Sequence, residues 1–257
     1  MKLYTLGTAH GAAECGRACS VILLECGGKY YLFDCAACAE SRLMDLGIDP
    51  SELEAIFTTH AHEDHVGGIP AMVKRIWDYN YENKKVRIYL TEEKLLAALR
   101  GWLDAMHTLR IGSDGRPMTE LLANAEFSIV SEGEFYNDGN ISVRAIKTRH
   151  LEHGKYPSYA FIIEGEGKKM LYTGDLEMDF LDYPAEAHNE QFDLVLCELV
   201  HFNSESPDMD INLVLNTKTK RFVFTHYRNV DRARPLFELP SLPFELRVAT
   251  DGDVFEF

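Results

Sequence analysis

The chain has 257 residues, 46% of them hydrophobic, enough to bury a substantial core in one large domain or two closely joined halves. Its 26 Lys plus Arg stand against 41 Asp plus Glu, a net charge of −15, which sets an unfavourable overall field against a long nucleic-acid backbone and favours a small-molecule substrate over a polynucleotide. No window approaches the roughly 20 apolar residues that span a bilayer, and the opening MKLYTLGTAHGAAECG lacks a basic region followed by a long apolar segment, so no membrane partner and a cytoplasmic location are expected.

In chain order, KLYTLGT reads as a strand, and SVILLECGGKYYLFD as two apolar runs turning at Gly27-Gly28, which predicts a hairpin. SRLMDLGIDPSELEAIFTTH carries Leu43, Leu46, Ile48 and Leu53 in helix-compatible stretches broken by Gly47 and Pro50, then a short buried strand, AIFTT. GGIPAMVKRIWDYN reads as a helix and VRIYL as a strand. TEEKLLAALRGWLDAMHTLR reads as a helix with Thr91 as its N-cap and two acids in its first turn, covering a sheet face or acting as a lid.

Residues 112–140 are rich in Gly, Asp, Asn and Ser, with AEFSIV a strand among them. The second half alternates again through ISVRAIKT, YAFIIEG, KKMLYTGD, FDLVLCELV, RFVFTH, FELRVAT and DVFEF. A β-rich α/β chain with helices on its outer faces follows, taken as a single domain over residues 1–257.

Six cysteines lie mostly in the first 40 residues. In a cytoplasmic chain they read as buried thiols, and a structural zinc site at Cys35 and Cys38 needs further ligands such as Cys15 and Cys19. The basic groups at Lys84, Lys85 and Arg87, at Lys218, Lys220 and Arg221, and at Arg228, Arg232 and Arg234 read as solvated surface or as grips for a small anion.

The stretch TTHAHEDHVGG concentrates His60, His62, Asp64 and His65 just past a strand end, where sheets of this class hold loops rigidly together. Imidazole and carboxylate ligands suit zinc, manganese or iron better than calcium. Further strand ends supply His150 in IKTRH, Asp175 in LYTGD and His226 in FVFTH. Two divalent ions would use all seven residues: His60, His62 and His150 on the first, Asp64, His65 and His226 on the second, and Asp175 between them. Zinc is the favoured metal, with manganese or iron as alternatives.

With HAHEDH standing as His-x-His-x-Asp-His, the sequence resembles the metallo-β-lactamase superfamily, from LGT near the start through Asp34 in YLFD to Asp175 and His226. The resemblance implies a four-layer αββα sandwich of two related halves, a dinuclear site at the shared edge of its two sheets, and hydrolysis through a hydroxide bridging the ions. Asp34 would orient the site rather than ligate. The third-motif ligand is His150, by the strand running into it, or His153, counting back from SYAFII. His150 is preferred, which leaves His153 to line the pocket.

TRHLEHGKYPSYAF departs from the Gly-His-Thr-x-Gly motif of thioesterases and lactonases. With LGTAHG, LYTGDL and LCELVHF, it is more similar to the phosphodiesterase branch that includes ribonuclease Z, phosphoribosyl cyclic phosphodiesterase and cyclic-nucleotide phosphodiesterases. Bacterial ribonuclease Z carries a long tRNA-gripping arm between the third-motif histidine and the bridging aspartate. Here His150 and Asp175 stand only 25 positions apart, so a phosphodiesterase for a small phosphodiester or cyclic nucleotide-like substrate is expected.

In that mechanism Asp64 orients the nucleophile, His201 or His153 protonates the leaving group, and Arg149 or Arg228 holds the substrate phosphate. A lactonase or thioesterase of the same fold and a non-hydrolytic di-iron redox protein are the alternatives. A homodimer is allowed.

Overall fold

The computed structural model describes residues 1–79, 84–106, 122, 124–203 and 210–257. Its strands are, in chain order, β1 (Lys2–Gly7), β2 (Val21–Cys26), β3 (Lys29–Phe33), β4 (Leu53–Phe57), β5 (Val86–Leu90), β6 (Ala125–Ile129), β7 (Gly133–Asn137), β8 (Ile141–Lys147), β9 (Tyr159–Gly165), β10 (Lys168–Tyr172), β11 (Phe192–Glu198), β12 (Thr219–Thr225), β13 (Glu245–Val248) and β14 (Asp253–Glu256). They form two seven-stranded sheets, ordered β14-β1-β2-β3-β4-β5-β6 and β13-β12-β11-β10-β9-β8-β7.

Each sheet repeats one plan. β1 to β3 make an antiparallel meander, and β4, β5 and β6 then add in parallel. β8 to β10 repeat the meander, and β11, β12 and β13 repeat the parallel run. The antiparallel turns are short: Gly27 and Gly28 between β2 and β3 adopt φ of 57° and 73°, which glycine takes without a Cβ clash. Parallel neighbours need crossovers, and these carry helices α1 (Ala39–Asp45), α2 (Glu63–Val66), α3 (Ile69–Tyr79), α4 (Glu93–Ala105), α5 (Glu186–Asn189) and α6 (Asp210–Leu215), with α7 (Arg234–Phe237) before β13.

Strand side chains alternate between faces, so buried residues at consecutive positions feed different layers. On β2, Ile22 and Leu24 join Phe33, Phe57, Val143, Phe161, Leu194 and Val223 between the sheets. Val21 and Leu23 face outward, where the first sheet meets Leu43 of α1, Val73 and Ile76 of α3, and Leu99 and Leu103 of α4. The outer face of the second sheet buries Ile162, Val195, Phe222 and Phe224 with Ala187, Val214 and Leu236 of α5, α6 and α7. Three apolar seams between four layers make an αββα sandwich. Among the described residues, no helix is long and apolar enough to cross a membrane.

Some local expectations change. Glu92, not Thr91, stands at the N-cap of α4 with no side-chain capping bond, and the Thr91 hydroxyl is buried without a hydrogen-bond partner. α4 packs Leu99 and Leu103 onto the first sheet, so its described turns cover a sheet face rather than form a lid. Residues 107–110 of that expected helix, Asn80 of the preceding one, and 112–121 and 123 of the Gly- and Asp-rich stretch lie outside the described residues. Cys19, Cys26, Cys35 and Cys197 are buried thiols as expected, but Cys15 and Cys38 are exposed, and neither ligand cluster found among the described residues contains a cysteine to support the alternative of a zinc site at Cys35 and Cys38.

Candidate metal centre

β4, β8, β10 and β12 end at one edge of the sandwich, and the segments beyond them supply the clustered histidines and carboxylates. His60 and His62 occupy the extended stretch after β4. His62 stands at the N-cap of α2, and the single turn of that helix brings Asp64 and His65 inward, where both are buried. His150 follows β8, Asp175 follows β10, and His226 follows β12 with a φ of 51°, in the left-handed region that an ordinary side chain enters at a cost.

Two groups result. His60, His62, His150 and Asp175 form one and Asp64, His65 and His226 the other, with donor atoms inside each group lying within 4.8 Å of one another. His62 Nδ1 is 3.0 Å from His60 Nε2 and 3.2 Å from His150 Nε2. Asp175 reaches both groups: Oδ2 lies 3.6 Å from His150 Nε2 and 3.2 Å from His226 Nε2, and Oδ1 lies 3.3 Å from His65 Nε2. Asp64 Oδ2 is 3.8 Å from His65 Nε2 and 3.7 Å from His226 Nε2. His62 is exposed and the others lie deeper, so the cluster opens to solvent on the His62 side.

The outer nitrogens of the rings are held from behind. His65 Nδ1 donates to Asp34 Oδ2 at 2.7 Å, and His150 Nδ1 donates to the Leu176 carbonyl at 3.0 Å. His60 Nδ1 meets the Thr59 hydroxyl at 3.0 Å and His226 Nδ1 the Ser20 hydroxyl at 3.3 Å. With Nδ1–H engaged in these bonds, the neutral rings would turn Nε2 lone pairs towards the cluster, the tautomer that binds a metal. Asp34 also accepts Thr59 N–H at 2.8 Å and Tyr172 O–H at 2.7 Å. The second half approaches the first closely here, since a Cβ on Gly174 would lie 2.8 Å from that of Thr59.

Buried polar atoms without partners are costly, and two of them, His65 Nε2 and Asp175 Oδ1, stand 3.3 Å apart in this cluster. A proton or a metal ion between them would satisfy both, and the imidazole and carboxylate donors gathered around them fit a metal. Burial and the neighbouring imidazoles push His60 well below the usual histidine range. Burial opposes charge on His65 too, but the Asp175 and Asp34 carboxylates outweigh it and raise its pKa. A metal held there would compete with that proton.

The remaining expected residues ring this cluster. His153 stays out of it: its ring is largely exposed, and Nδ1 lies 2.5 Å from Glu177 Oε1. Arg149 is half-exposed and pairs with Glu177 Oε2 at 3.3 Å. Arg228 is exposed, two positions past His226. His201 lies beside His150, ring centroids 5.0 Å apart, and donates Nδ1–H to the buried Glu198 at 2.7 Å. Burial disfavours its charged form, yet the Glu198 bond and charge raise its pKa overall.

Sequence reasoning missed Ser20, Thr59, Tyr172 and the backbone of Gly11, whose N–H meets Asp64 Oδ2 at 2.6 Å. It also missed His10, 6.0 Å from the His226 ring. A hydroxyl beside each ligand motif was the available signal for Thr59 alone.

The sequence profile described as Anti-Pycsar protein Apyc1 matches residues 1–228. The chain belongs to the Anti-Pycsar protein Apyc1 family. This Apyc1-family chain is 29% identical over 180 residues to ribonuclease Z of Anoxybacillus flavithermus, covering 68% of this chain and 52% of that one. It is 37% identical over 157 residues to ribonuclease Z of Bacillus cereus, covering 60% and 46%. The chain spans about half the length of the curated relatives it matches.

Among solved structures, the Apyc1-family chain is similar to the metallo-β-lactamase fold protein YhfI from Bacillus subtilis (TM-score 0.74, 18% identity, 99% of this chain and 98% of that one). It is similar also to the short form of human tRNase Z (0.72, 21%, 100% and 99%) and to a diphosphatase from the PhnP family (0.70, 18%, 100% and 97%). The fold is therefore that of the metallo-β-lactamase superfamily.

Proposed function

We propose that the protein is a metal-dependent phosphodiesterase cleaving a small phosphodiester or cyclic nucleotide-like substrate. The observation that carries this is the pair of ligand groups sharing Asp175, with His65 Nε2 and Asp175 Oδ1 buried and otherwise unpartnered. His60, His62 and His150 would hold one divalent ion, Asp64, His65 and His226 the other, and Asp175 both. The donor set favours zinc, with manganese or iron as alternatives. Bound ions supply polarisation of a phosphoryl oxygen and a water whose pKa is lowered towards about 7.

The side chains then position the reacting groups and move protons. Asp64, fixed by the Gly11 N–H, orients the nucleophile. His201, with Nδ1–H committed to Glu198, offers Nε2 as the acid for the leaving oxygen. Arg149 and Arg228, each beside a ligand segment, grip the substrate phosphate, and His153 lines the approach. The stretch between His150 and Asp175 is a turn and the β9–β10 hairpin, with no inserted arm. With the net charge of −15, this supports a small substrate rather than tRNA.

The test is hydrolysis of bis(p-nitrophenyl) phosphate by metal-stripped protein reloaded with zinc or manganese, beside Asp64→Ala and elemental analysis. About two ions per chain and turnover that disappears in the variant are expected, to be followed by cyclic nucleotides. Protein that takes up no metal sinks the reading.

One observation favours a second reading, hydrolysis of a lactone or thioester. An apolar cavity of about 200 Å³ lies next to α2, lined by Val66, Ile69, Leu90, Leu95, Leu99 and Trp102 among others. Activity on lactones without activity on diesters would select it.

A further inference from the structure

The stretch from Thr8 to Ser20 bears on the Asp64 and His226 side of the centre at several points. Gly11 N–H meets Asp64 Oδ2, Ser20 N–H meets the Asp64 carbonyl at 3.1 Å, the Ser20 hydroxyl meets His226 Nδ1, and Tyr227 N–H meets the Thr8 carbonyl at 3.1 Å. Arg17 adds a bond to the Tyr227 carbonyl at 2.9 Å and lies over the Tyr227 ring. By contrast, the outer nitrogens of His60 and His150 are held by Thr59 and the Leu176 carbonyl.

The two stems of this loop pair directly, Ala9 N–H meeting the Ala18 carbonyl at 2.8 Å, and one remote carboxylate reinforces the join. Asp251 lies in the turn between β13 and β14, beyond the residues 1–228 that the family profile matches, and its side chain is 7% exposed. Its Oδ1 accepts Thr8 N–H at 2.9 Å and the Thr8 hydroxyl at 2.8 Å. Its Oδ2 accepts Ala18 N–H at 2.7 Å, with Arg42 at 3.4 Å. The turn is itself bound to β1, since Gly252 N–H meets the Thr5 carbonyl at 2.7 Å and the Thr5 hydroxyl meets the Thr250 carbonyl at 2.7 Å. A charged acceptor taking backbone donors from both stems fixes their separation more firmly than neutral bonds would.

We infer that Asp251 is a positioning residue for one half of the metal centre: by tying Thr8 to Ala18 it sets the loop that orients Asp64 and His226, and leaves the His60, His62 and His150 group untouched. The inference rests on the dinuclear reading above and extends it to a residue in the C-terminal turn. Asp251→Asn keeps the size of the side chain but turns an N–H group towards one of the donors, so one stem loses its acceptor.

The test is calorimetric titration of metal-stripped protein with zinc, for wild type, Asp251→Asn and Asp64→Ala, with thermal melts alongside. Direct partners of metal ligands are worth about 10–100-fold in affinity, and Asp251 acts one bond further out, so Asp251→Asn should weaken one of two zinc steps by up to about 10-fold. The step affected should be the one that Asp64→Ala also weakens, with the other unchanged. If both steps keep their affinities while only the melting temperature drops, or if both weaken alike, Asp251 is structural and the inference is overturned. Should Asp251→Asn fail to fold, Thr8→Val removes one of the four bonds and should give a smaller loss at the same step; no loss at that step overturns it equally. Failure of the dinuclear reading shows separately, in wild-type protein that binds no zinc, and takes the inference down with it.

Discussion

Asp34 ligates nothing in the cluster, yet its carboxylate accepts Thr59 N–H, the Thr59 hydroxyl, His65 Nδ1–H and Tyr172 O–H, all in the buried interior. Asp34→Ala would leave several buried donors unmatched, each costing about 1–3 kcal/mol, and free the His65 ring to turn. A fall of about 10–100-fold in zinc affinity is expected, together with a lower denaturation midpoint, both readable on one preparation. His201 gives a sharper chemical prediction. A p-nitrophenolate leaves without a proton, so His201→Ala should barely affect bis(p-nitrophenyl) phosphate while slowing a diester with an alkyl leaving group by about 10²–10⁴-fold. Equal losses on both substrates would remove His201 as the acid. At this scale the clustered histidines and carboxylates were legible, because four of them fall within six positions and the others end apolar runs. Ser20, Tyr172 and Asp251 were not, since partners of a ring nitrogen or loop stem come from distant segments with no spacing to mark them.

Elements were legible where alternation is strong. The β2–β3 hairpin and α3 follow the sequence pattern, whereas four-residue helices such as α2, α5 and α7 are too short to show a period. The pairing of β14 with β1 leaves no trace in either strand's composition. The turn between β7 and β8 illustrates how one acid holds an element. Asp138 accepts N–H groups from Asn140 and Ile141, both at 2.9 Å, and the hydroxyls of Tyr31 at 2.7 Å and Tyr136 at 3.2 Å. Burial alone would raise its pKa, but these bonds and nearby Lys29 bring it down to about 2. Because the folded value lies below the ordinary carboxylate value of about 3.9, the stabilisation is complete above about pH 4 and is lost as pH falls towards about 2. Urea melts should show wild type more stable than Asp138→Ala at neutral pH, with the gap narrowing through that window. A gap independent of pH would assign the stabilisation to packing.

For the whole molecule, the seam between the sheets joins the two halves through aromatic side chains. Phe57 stacks on Phe33 at 5.0 Å within its own sheet and meets Tyr136 of the opposite sheet edge-on at 5.0 Å. Phe57→Ala should cost about 3–5 kcal/mol in a denaturant melt, with activity per folded molecule retained because the ring touches no ligand. The sandwich itself was legible through its alternating strands and helices, and the family resemblance supplied the layer order that periodicity lacks.

The exchange of β14 into the first sheet gives the chain a further property. A cut between β6 and β7 would leave a leading fragment with β1 to β6 but no β14, and a trailing fragment with an intact second sheet and a strand that has no mate. The leading piece would carry His60, His62, Asp64 and His65, the trailing piece His150, Asp175 and His226, so neither owns a complete ligand set. The two pieces should be inert apart and should recover zinc uptake when mixed, the strand acting as a latch that restores the registry of the halves.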